Sequence, residues 1–202
     1  MADMFHRVPP YGVVRDWLGK ETVARLLRFA ESNEHLLKDS GLYYDQDGAH
    51  KISKEERVSK QMVLGNFEGE LKAKMIDLVP VMFDRLGINR FAPITIESVF
   101  VVHGDGAFFR PHIDTHLNRD IEGGFRVISA VYYFHTLPTA FSGGLLRLYS
   151  LGMGSHVDIP PDCDTIVFFP SFFLHEVLPV KCPSPRFLDS RFAVNFWINR
   201  DK

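Results

Sequence analysis

After Pro93 the chain breaks into short runs rich in β-branched and aromatic residues, and this texture restricts its fold more than any other feature. ITIESVFVVH, FRVISAVYYFH, LLRLYS, HVDIP, DTIVFFP, HEVLPV and SRFAVNFWI follow one another, separated by the clusters HGDG, FSGG, LGMGS, PPDCD and KCPSP. Branched and ring side chains suit a pleated, half-buried surface, and Gly, Pro, Asp and Ser end each run after a few residues. Many short strands without helices between them favour an all-β sandwich or barrel over alternating βα units. Their number fits a double-sheet jelly roll, the double-stranded β-helix.

The first half reads differently. In KETVARLLRFAESNEHLL, Val23, Leu26, Leu27 and Ala30 fall at i, i+3, i+4 and i+7 and make one helical face. In ELKAKMIDLVPVMFDRLG, Leu71, Met75, Leu78, Val79, Met82, Phe83 and Leu86 keep one stripe, with Gly87 placed as a C-terminal cap. Pro80 inside that stripe predicts a kink or a junction. The segment between the helices is polar and aperiodic, and reads as a long loop or irregular hairpin whose KISKEERVSK charges form a solvated surface. Residues 40–60 are the candidate lid, because long loops beside a site commonly close over it. The expected class is therefore α+β, mainly β, in one domain over 1–202: a mainly helical support over 1–90 and a jelly-roll core over 91–202.

With 202 residues, 46% of them hydrophobic, the chain has material for one sizeable core. A formal net charge of −2 gives no bias towards nucleic acid or an anionic membrane. MADMFHRVPPYG lacks an apolar run of signal length, and no later segment reaches the roughly 20 apolar residues of a membrane span. Cys163 and Cys182 are expected as reduced thiols, so the expected location is the cytoplasm. No internal repeat is visible, and oligomeric state is not legible.

The chemistry centres on FFRPHIDTH, where His112, Asp114 and His116 alternate. Residues two apart on a strand share a face about 6.5–7 Å apart, so imidazole and carboxylate can converge on one ion. Residues four apart are about 13 Å distant. His112 with Asp114 is feasible, Asp114 with His116 is feasible, and all three together are not. GAFFRP is strand-like and THLNRDIEGG is turn-prone, which puts His112 and Asp114 at a strand end and His116 in the next loop. Pro111 suits an edge or bulge there. The missing ligand must come from another strand, with His103, His135, His156 and His175 as candidates; His175 follows the aromatic wall TIVFFPSFFL. Two imidazoles and a carboxylate leave three octahedral positions open, the set used by non-heme Fe(II) oxygenases. A structural zinc site wants four ligands, commonly cysteines, and neither cysteine has the spacing.

Iron sites of this kind often take a dicarboxylate, whose far end needs a fixed cation, and the arginine fork grips a carboxylate with two parallel hydrogen bonds. Alternation in SRFAVNFWI places Arg191, Ala193, Asn195 and Trp197 on one face and Phe192, Val194 and Phe196 on the other. In RVISAVYYFH it groups Ser129, Val131 and Tyr133, so the Tyr133 phenol could join Arg191. Asn195 is expected as a hydrogen bonder on the cavity wall.

These residues carry a resemblance. HID at 112–114, HEVLPV with His175, and RFAVNFW from Arg191 resemble the HxD…H…R pattern of Fe(II)/2-oxoglutarate dioxygenases. AVYYFH, FSGGLLRLY and HEVLPV are similar to the prolyl 4-hydroxylase superfamily, in the branch of hypoxia-type prolyl hydroxylases and their bacterial relatives. The resemblance runs from Val99 to Trp197. It implies iron on His112, Asp114 and His175, and 2-oxoglutarate chelating that iron with its far carboxylate on Arg191 and Tyr133. It also implies ascorbate as reductant, and hydroxylation of an unactivated C–H bond with succinate and carbon dioxide as co-products. Asp114 stands where related halogenases carry Gly or Ala, so hydroxylation is the implied outcome.

Two departures stand out. Relatives often carry a tyrosine near position 103, by the iron-bound end of the co-substrate, and this chain has His103, counted with the cofactor-binding residues. The interval from His175 to Arg191 is long and contains a rival, Arg186; prolines make that interval a loop, while Arg191 opens a clean strand. The implied substrate is a prolyl residue of a protein, with a free amino acid or small biosynthetic intermediate as the alternative. Outside oxygenase chemistry, the alternatives are a cupin-like metal-binding isomerase or sensor and a silent binding domain.

Overall fold

The computed structural model describes residues 8–43, 50–92, 94–115 and 124–200. In chain order its elements begin with β1 (Gly12–Arg15), α1 (Lys20–Ser32), β2 (Lys38–Asp39), β3 (Leu42–Tyr43) and β4 (His50–Lys51). Next come β5 (Arg57–Val58), β6 (Lys60–Met62) and α2 (Phe67–Leu86). The β-rich half supplies β7 (Ile94–His103), β8 (Phe108–His112), β9 (Phe125–Phe134), β10 (Ser142–Gly143) and β11 (Leu146–Tyr149). It ends with β12 (His156–Ile159), β13 (Thr165–Pro170), β14 (His175–Val177), β15 (Val180–Lys181) and β16 (Arg191–Arg200). A seven-stranded sheet has the order β1-β13-β9-β16-β7-β6-β2, and a five-stranded sheet the order β12-β11-β14-β8-β5. Together they form a double-stranded β-helix.

Strand alternation divides the core in two. On the large sheet Tyr132, Phe168, Phe192, Val194 and Phe196 turn outward into a cluster shared with both helices. Their neighbours Tyr133, Val167, Phe169 and Ala193 turn inward and pack with Leu146, Leu148 and Ile159 of the small sheet. The helical stripes bury Leu26, Leu71, Met75 and Met82 completely, each contributing about 1.5–3 kcal/mol relative to an exposed side chain. A far-off residue ties α1 to the sheet. Asp164, just before β13, accepts the N–H groups of Leu18 and Gly19 at 2.9 Å each and the Tyr132 hydroxyl at 2.9 Å. A carboxylate there also suits the positive end of the helix dipole.

Two local expectations change. Of the kink or junction expected at Pro80, the junction is absent, since α2 runs on to Leu86 before Gly87 closes it in the left-handed conformation. Pro80 lies on the exposed face, where water can satisfy the carbonyl that loses its partner. The N-terminal support is also more than helical. β1 borders β13, β6 extends the large sheet beside β7, and β5 pairs with β8 in the small one. Strands of two to four residues carry too little alternation to show in sequence. Of the candidate lid, residues 44–49 lie outside the described residues, while Gly41, Leu42, Glu56 and Arg57 line the central cavity. Among the described residues no helix is long and apolar enough to cross a membrane.

Candidate metal centre

β8 and β14 pair antiparallel with His112 directly opposite His175. Just past the end of β8 the chain is pinned by the N–H groups of Asp114 and Thr115, which donate to the Ser171 carbonyl at 3.0 and 3.2 Å. This turn brings the Asp114 carboxylate between the two imidazoles: His175 Nε2 lies 3.4 Å from Oδ2 and His112 Nε2 lies 3.7 Å from Oδ1. One ligand atom from each residue falls within 4.8 Å of the others. The Nδ1 atoms face backbone carbonyls two residues upstream, Arg110 O at 2.8 Å for His112 and Phe173 O at 2.9 Å for His175. A carbonyl only accepts, so each Nδ1 carries the proton and each Nε2 turns its lone pair inward. Phe109 stacks on His112 at 3.5 Å and Phe169 meets His175 edge-on at 4.7 Å, which fixes both ring planes.

The charge state suits a divalent cation. Burial pushes His112 down to about 3, and His175 adds to this while Asp114 opposes it, so the ring is neutral at ordinary pH. Burial works against ionising Asp114, but His175, His112 and the Ser129 hydroxyl outweigh it and hold the carboxyl well below the usual range. Ser129 Oγ donates to Asp114 Oδ2 at 2.7 Å. Two imidazoles and one carboxylate form a facial set with room left for exogenous ligands.

Across the cavity, register sets a second group. Arg191 on β16 pairs with His103 on β7, and Ala193 pairs with Tyr133 on β9. The Arg191 side chain is 1% exposed. Its Nε donates to the Gly144 carbonyl at 2.9 Å, Nη1 lies 3.0 Å from His103 Nδ1, and the guanidinium sits 4.8 Å above the Tyr133 ring. Among the described residues no carboxylate pairs with it. Burial lowers its pKa, with Tyr133 opposing. A guanidinium only donates, so His103 Nδ1 must accept and the proton sits on Nε2. Burial, then Arg191, then Arg57 hold His103 well below its ordinary value, so it stays neutral. His103 Nε2–H and the Tyr133 hydroxyl are both buried without a hydrogen-bond partner among the described residues. Both line, with Arg191, Asn195 and the three metal-capable residues, one cavity of about 490 Å³. A dicarboxylate fits this donor set, because orphaned buried donors are costly until an acceptor arrives.

Gly144 is what lets the arginine through. Its φ is +63°, and a Cβ there would stand 2.7 Å from Arg191 Cδ and 2.8 Å from Val180 Cγ2. Gly144→Ala is therefore expected to displace the guanidinium and weaken 2-oxoglutarate binding by roughly tenfold or more, since about 1.4 kcal/mol is a factor of ten. Anaerobic titration of the Fe(II)-loaded variant checks this; wild-type affinity would show that the cradle is not needed.

The other candidates are placed elsewhere. His135 is buried beside Phe141 with Nδ1 on the Thr136 carbonyl, and His156 is exposed on β12. Neither borders the cavity, and His116 lies outside the described residues. Arg186 is exposed on its loop. Sequence reasoning passed over Ser129 as the Asp114 partner, Gly144 as the cradle, and Glu97 and Arg126, which complete a wall with Trp197. In that wall Arg126 stacks at 3.9 Å on Trp197 and pairs with Glu97 at 2.5 Å. The SGG run was the one available signal for the cradle.

A facial triad at the mouth of a double-stranded β-helix, opposed by a buried arginine, is the arrangement of the non-heme Fe(II) class. The chain belongs to the 2OG-Fe(II) oxygenase superfamily, which residues 98–199 match. It is 35% identical over 138 residues to an uncharacterized PKHD-type hydroxylase of Synechocystis sp., covering 64% of this chain and 45% of that protein. It is 26% identical over 197 residues to human Egl nine homolog 1, covering 92% of this chain and 42% of the relative. The chain thus spans about half the length of the curated relatives it matches. Among solved structures, a Pseudomonas putida prolyl-4-hydroxylase superposes with TM-score 0.66 at 22% identity, covering 96% of this chain and 94% of that one. A Trichoplax adhaerens prolyl hydroxylase, solved with a hypoxia inducible factor peptide fragment, gives 0.69 at 21%, covering 98% and 88%. These two likenesses show the fold. Membership of the superfamily favours an oxygenase over the cupin-like and silent-binding alternatives.

Proposed function

We propose that the chain is an Fe(II)- and 2-oxoglutarate-dependent dioxygenase that hydroxylates an unactivated C–H bond in a prolyl-hydroxylase-like reaction. The observation that carries this is the meeting, in one cavity, of a three-ligand set and a buried arginine that has no carboxylate partner among the described residues. His112, Asp114 and His175 hold the metal. Arg191 holds the far carboxylate of 2-oxoglutarate, helped by the Tyr133 hydroxyl and the His103 Nε2–H, and Asn195 lines the wall between. When bound, iron and 2-oxoglutarate supply the oxidising power: one dioxygen converts the keto acid to succinate and carbon dioxide and inserts one oxygen into the C–H bond.

The chain's own residues orient and dry the site. The carbonyls of Arg110 and Phe173 keep both Nε2 lone pairs free, and Ser129 fixes the carboxylate rotamer. Phe109 and Phe169 pack against the two imidazoles and limit access of water. The prolyl reading is supported by the 35% identity to a PKHD-type hydroxylase and by the fold shared with two prolyl hydroxylases; the alternative is a free amino acid or small biosynthetic intermediate. A cytoplasmic location is part of the same reading. Purified protein with Fe(II), ascorbate and 2-oxoglutarate is expected to release succinate slowly without its substrate, and 2-oxoglutarate is expected to give a metal-to-ligand absorption band under anaerobic conditions. Absence of both would return the protein to the non-oxygenase jelly rolls.

A further inference from the structure

A second arginine borders the same cavity, in a stretch whose charges the sequence suggests are solvated. Lys54, Glu55, Glu56 and Lys60 are exposed, but Arg57 is turned inward. β5 pairs with β8 so that Arg57 stands opposite Phe109. The guanidinium lies 4.6 Å over the Phe109 ring, and that ring stacks on His112. One aromatic layer therefore separates this cation from a metal-capable imidazole. Its Nε donates to Ser59 Oγ at 2.8 Å, and Nη1 reaches the Gly41 carbonyl only at 3.5 Å. Among the described residues Nη2 has no hydrogen-bond partner and no carboxylate lies within ion-pair distance of the group. Burial pushes the group down to about 10, with Asp114 opposing, so it is still a cation at neutral pH.

The charges of the pocket give this cation a use. Arg126 is neutralised by Glu97, and Arg110 at the rim is exposed to solvent. A divalent ion on Asp114 and a dianionic co-substrate on Arg191 would cancel one another completely. Glu56 also lines the cavity but is exposed, as Arg110 is, so among the described residues Arg57 would be the cation left without a buried counterion, and a partly buried cation in that state is unfavourable until an anion reaches it. Its planar fork, steadied on one edge by Ser59 and on one face by Phe109, leaves the Nη edge for a carboxylate.

We propose that Arg57 is a second carboxylate anchor, and that it holds a carboxylate of the molecule being oxidised, close to the bond attacked. This rests on the oxygenase reading and narrows its substrate class to acids. The carboxylate can be the α-carboxylate of a free amino acid or an acidic side chain beside a target prolyl residue. The Fe(II)–2-oxoglutarate holoenzyme, kept anaerobic, would be titrated with matched pairs while its absorption band is followed. One arm uses L-proline against L-prolinamide, the other a Pro-Glu peptide against its Pro-Gln counterpart. In one arm the acid is expected to bind roughly tenfold or more tighter than the amide, as a charge-assisted hydrogen bond implies, and that arm identifies the source.

Arg57→Gln is expected to abolish the preference, and Arg57→Lys to keep part of it. Both variants should bind 2-oxoglutarate within about twofold of wild type, since that dianion is already held at both ends. No acid preference in either arm, or a preference that survives Arg57→Gln, overturns the proposal. A loss of 2-oxoglutarate affinity in Arg57→Gln overturns it too, by giving this cation to the co-substrate. Failure of the wild type to bind 2-oxoglutarate at all would instead sink the oxygenase reading.

Discussion

Arg191→Gln is expected to cut 2-oxoglutarate affinity by between about 30-fold and several thousand-fold, the range given by 2–5 kcal/mol for breaking a buried charge-paired hydrogen bond. The argument is one of desolvation. Among the described residues Arg191 is buried without a carboxylate partner, so the ligand-free protein bears most of the cost of burying the charge and the bound dianion removes it. Removing the guanidinium leaves the far carboxylate buried with only neutral donors, Tyr133 and His103. Iron affinity should stay near wild type, because the arginine bonds to Gly144 and His103 and to none of the three residues of the metal-capable set. Stability of the ligand-free protein should change little, since an uncompensated cation is lost along with its packing. The increase in Tm that 2-oxoglutarate gives to wild type should largely vanish. Arg186→Ala, on an exposed loop, serves as the control and should bind 2-oxoglutarate normally. Equal losses in the two variants, or a loss only in Arg186→Ala, would place the co-substrate elsewhere.

How far the sequence reaches depends on whether a feature is periodic. β7, β9, β13 and β16 span six to ten residues rich in β-branched and aromatic side chains, so their existence was readable, and the two-residue period gave the faces of β9 and β16. In β16 that alternation separates Arg191 and Asn195 from Phe192 and Val194. The stripe of α2 was legible for the same reason, and all seven apolar positions named from it are buried. The HxD spacing placed two ligand residues on one side of a strand end. What sets His175 opposite His112 is the pairing of β14 with β8, a relation across more than sixty residues of chain that no local pattern encodes. Register also decides that Arg191 meets His103.

The parts that sequence missed are non-local or brief. Asp164 clasps the start of α1 from the far side of the chain. Gly144 matters because of what its absent Cβ would strike, and Arg57 turns inward only because two residues of β5 pair with β8. A charged run looks solvated from composition, and composition cannot show which of its members the sheet draws in.

His175→Ala and Asp114→Asn are expected to lose metal, and with it succinate formation, more completely than any other substitutions in the molecule. Partners that merely orient metal ligands are worth about 10–100-fold in affinity, so removing a ligand atom should exceed roughly 100-fold. The two losses differ in kind. Alanine at 175 removes one lone pair, empties the space against Phe169, and leaves the Phe173 carbonyl without its donor. Asparagine at 114 keeps the shape and loses the charge, so the site would hold a divalent ion with no anion to balance it until co-substrate arrives. Ser129→Ala sets the scale between these and wild type: it keeps all three ligands and removes only the hydrogen bond to Asp114 Oδ2. The expected order of Co(II) affinity, read from its visible absorption in titrations, is wild type, then Ser129→Ala by about 10–100-fold, then the two ligand variants. The ligand-free fold should persist in all of them, because the triad sits at one mouth of the barrel and outside both apolar clusters. Wild-type Co(II) affinity in either ligand variant would show that the imidazoles and the carboxylate meet without serving an ion.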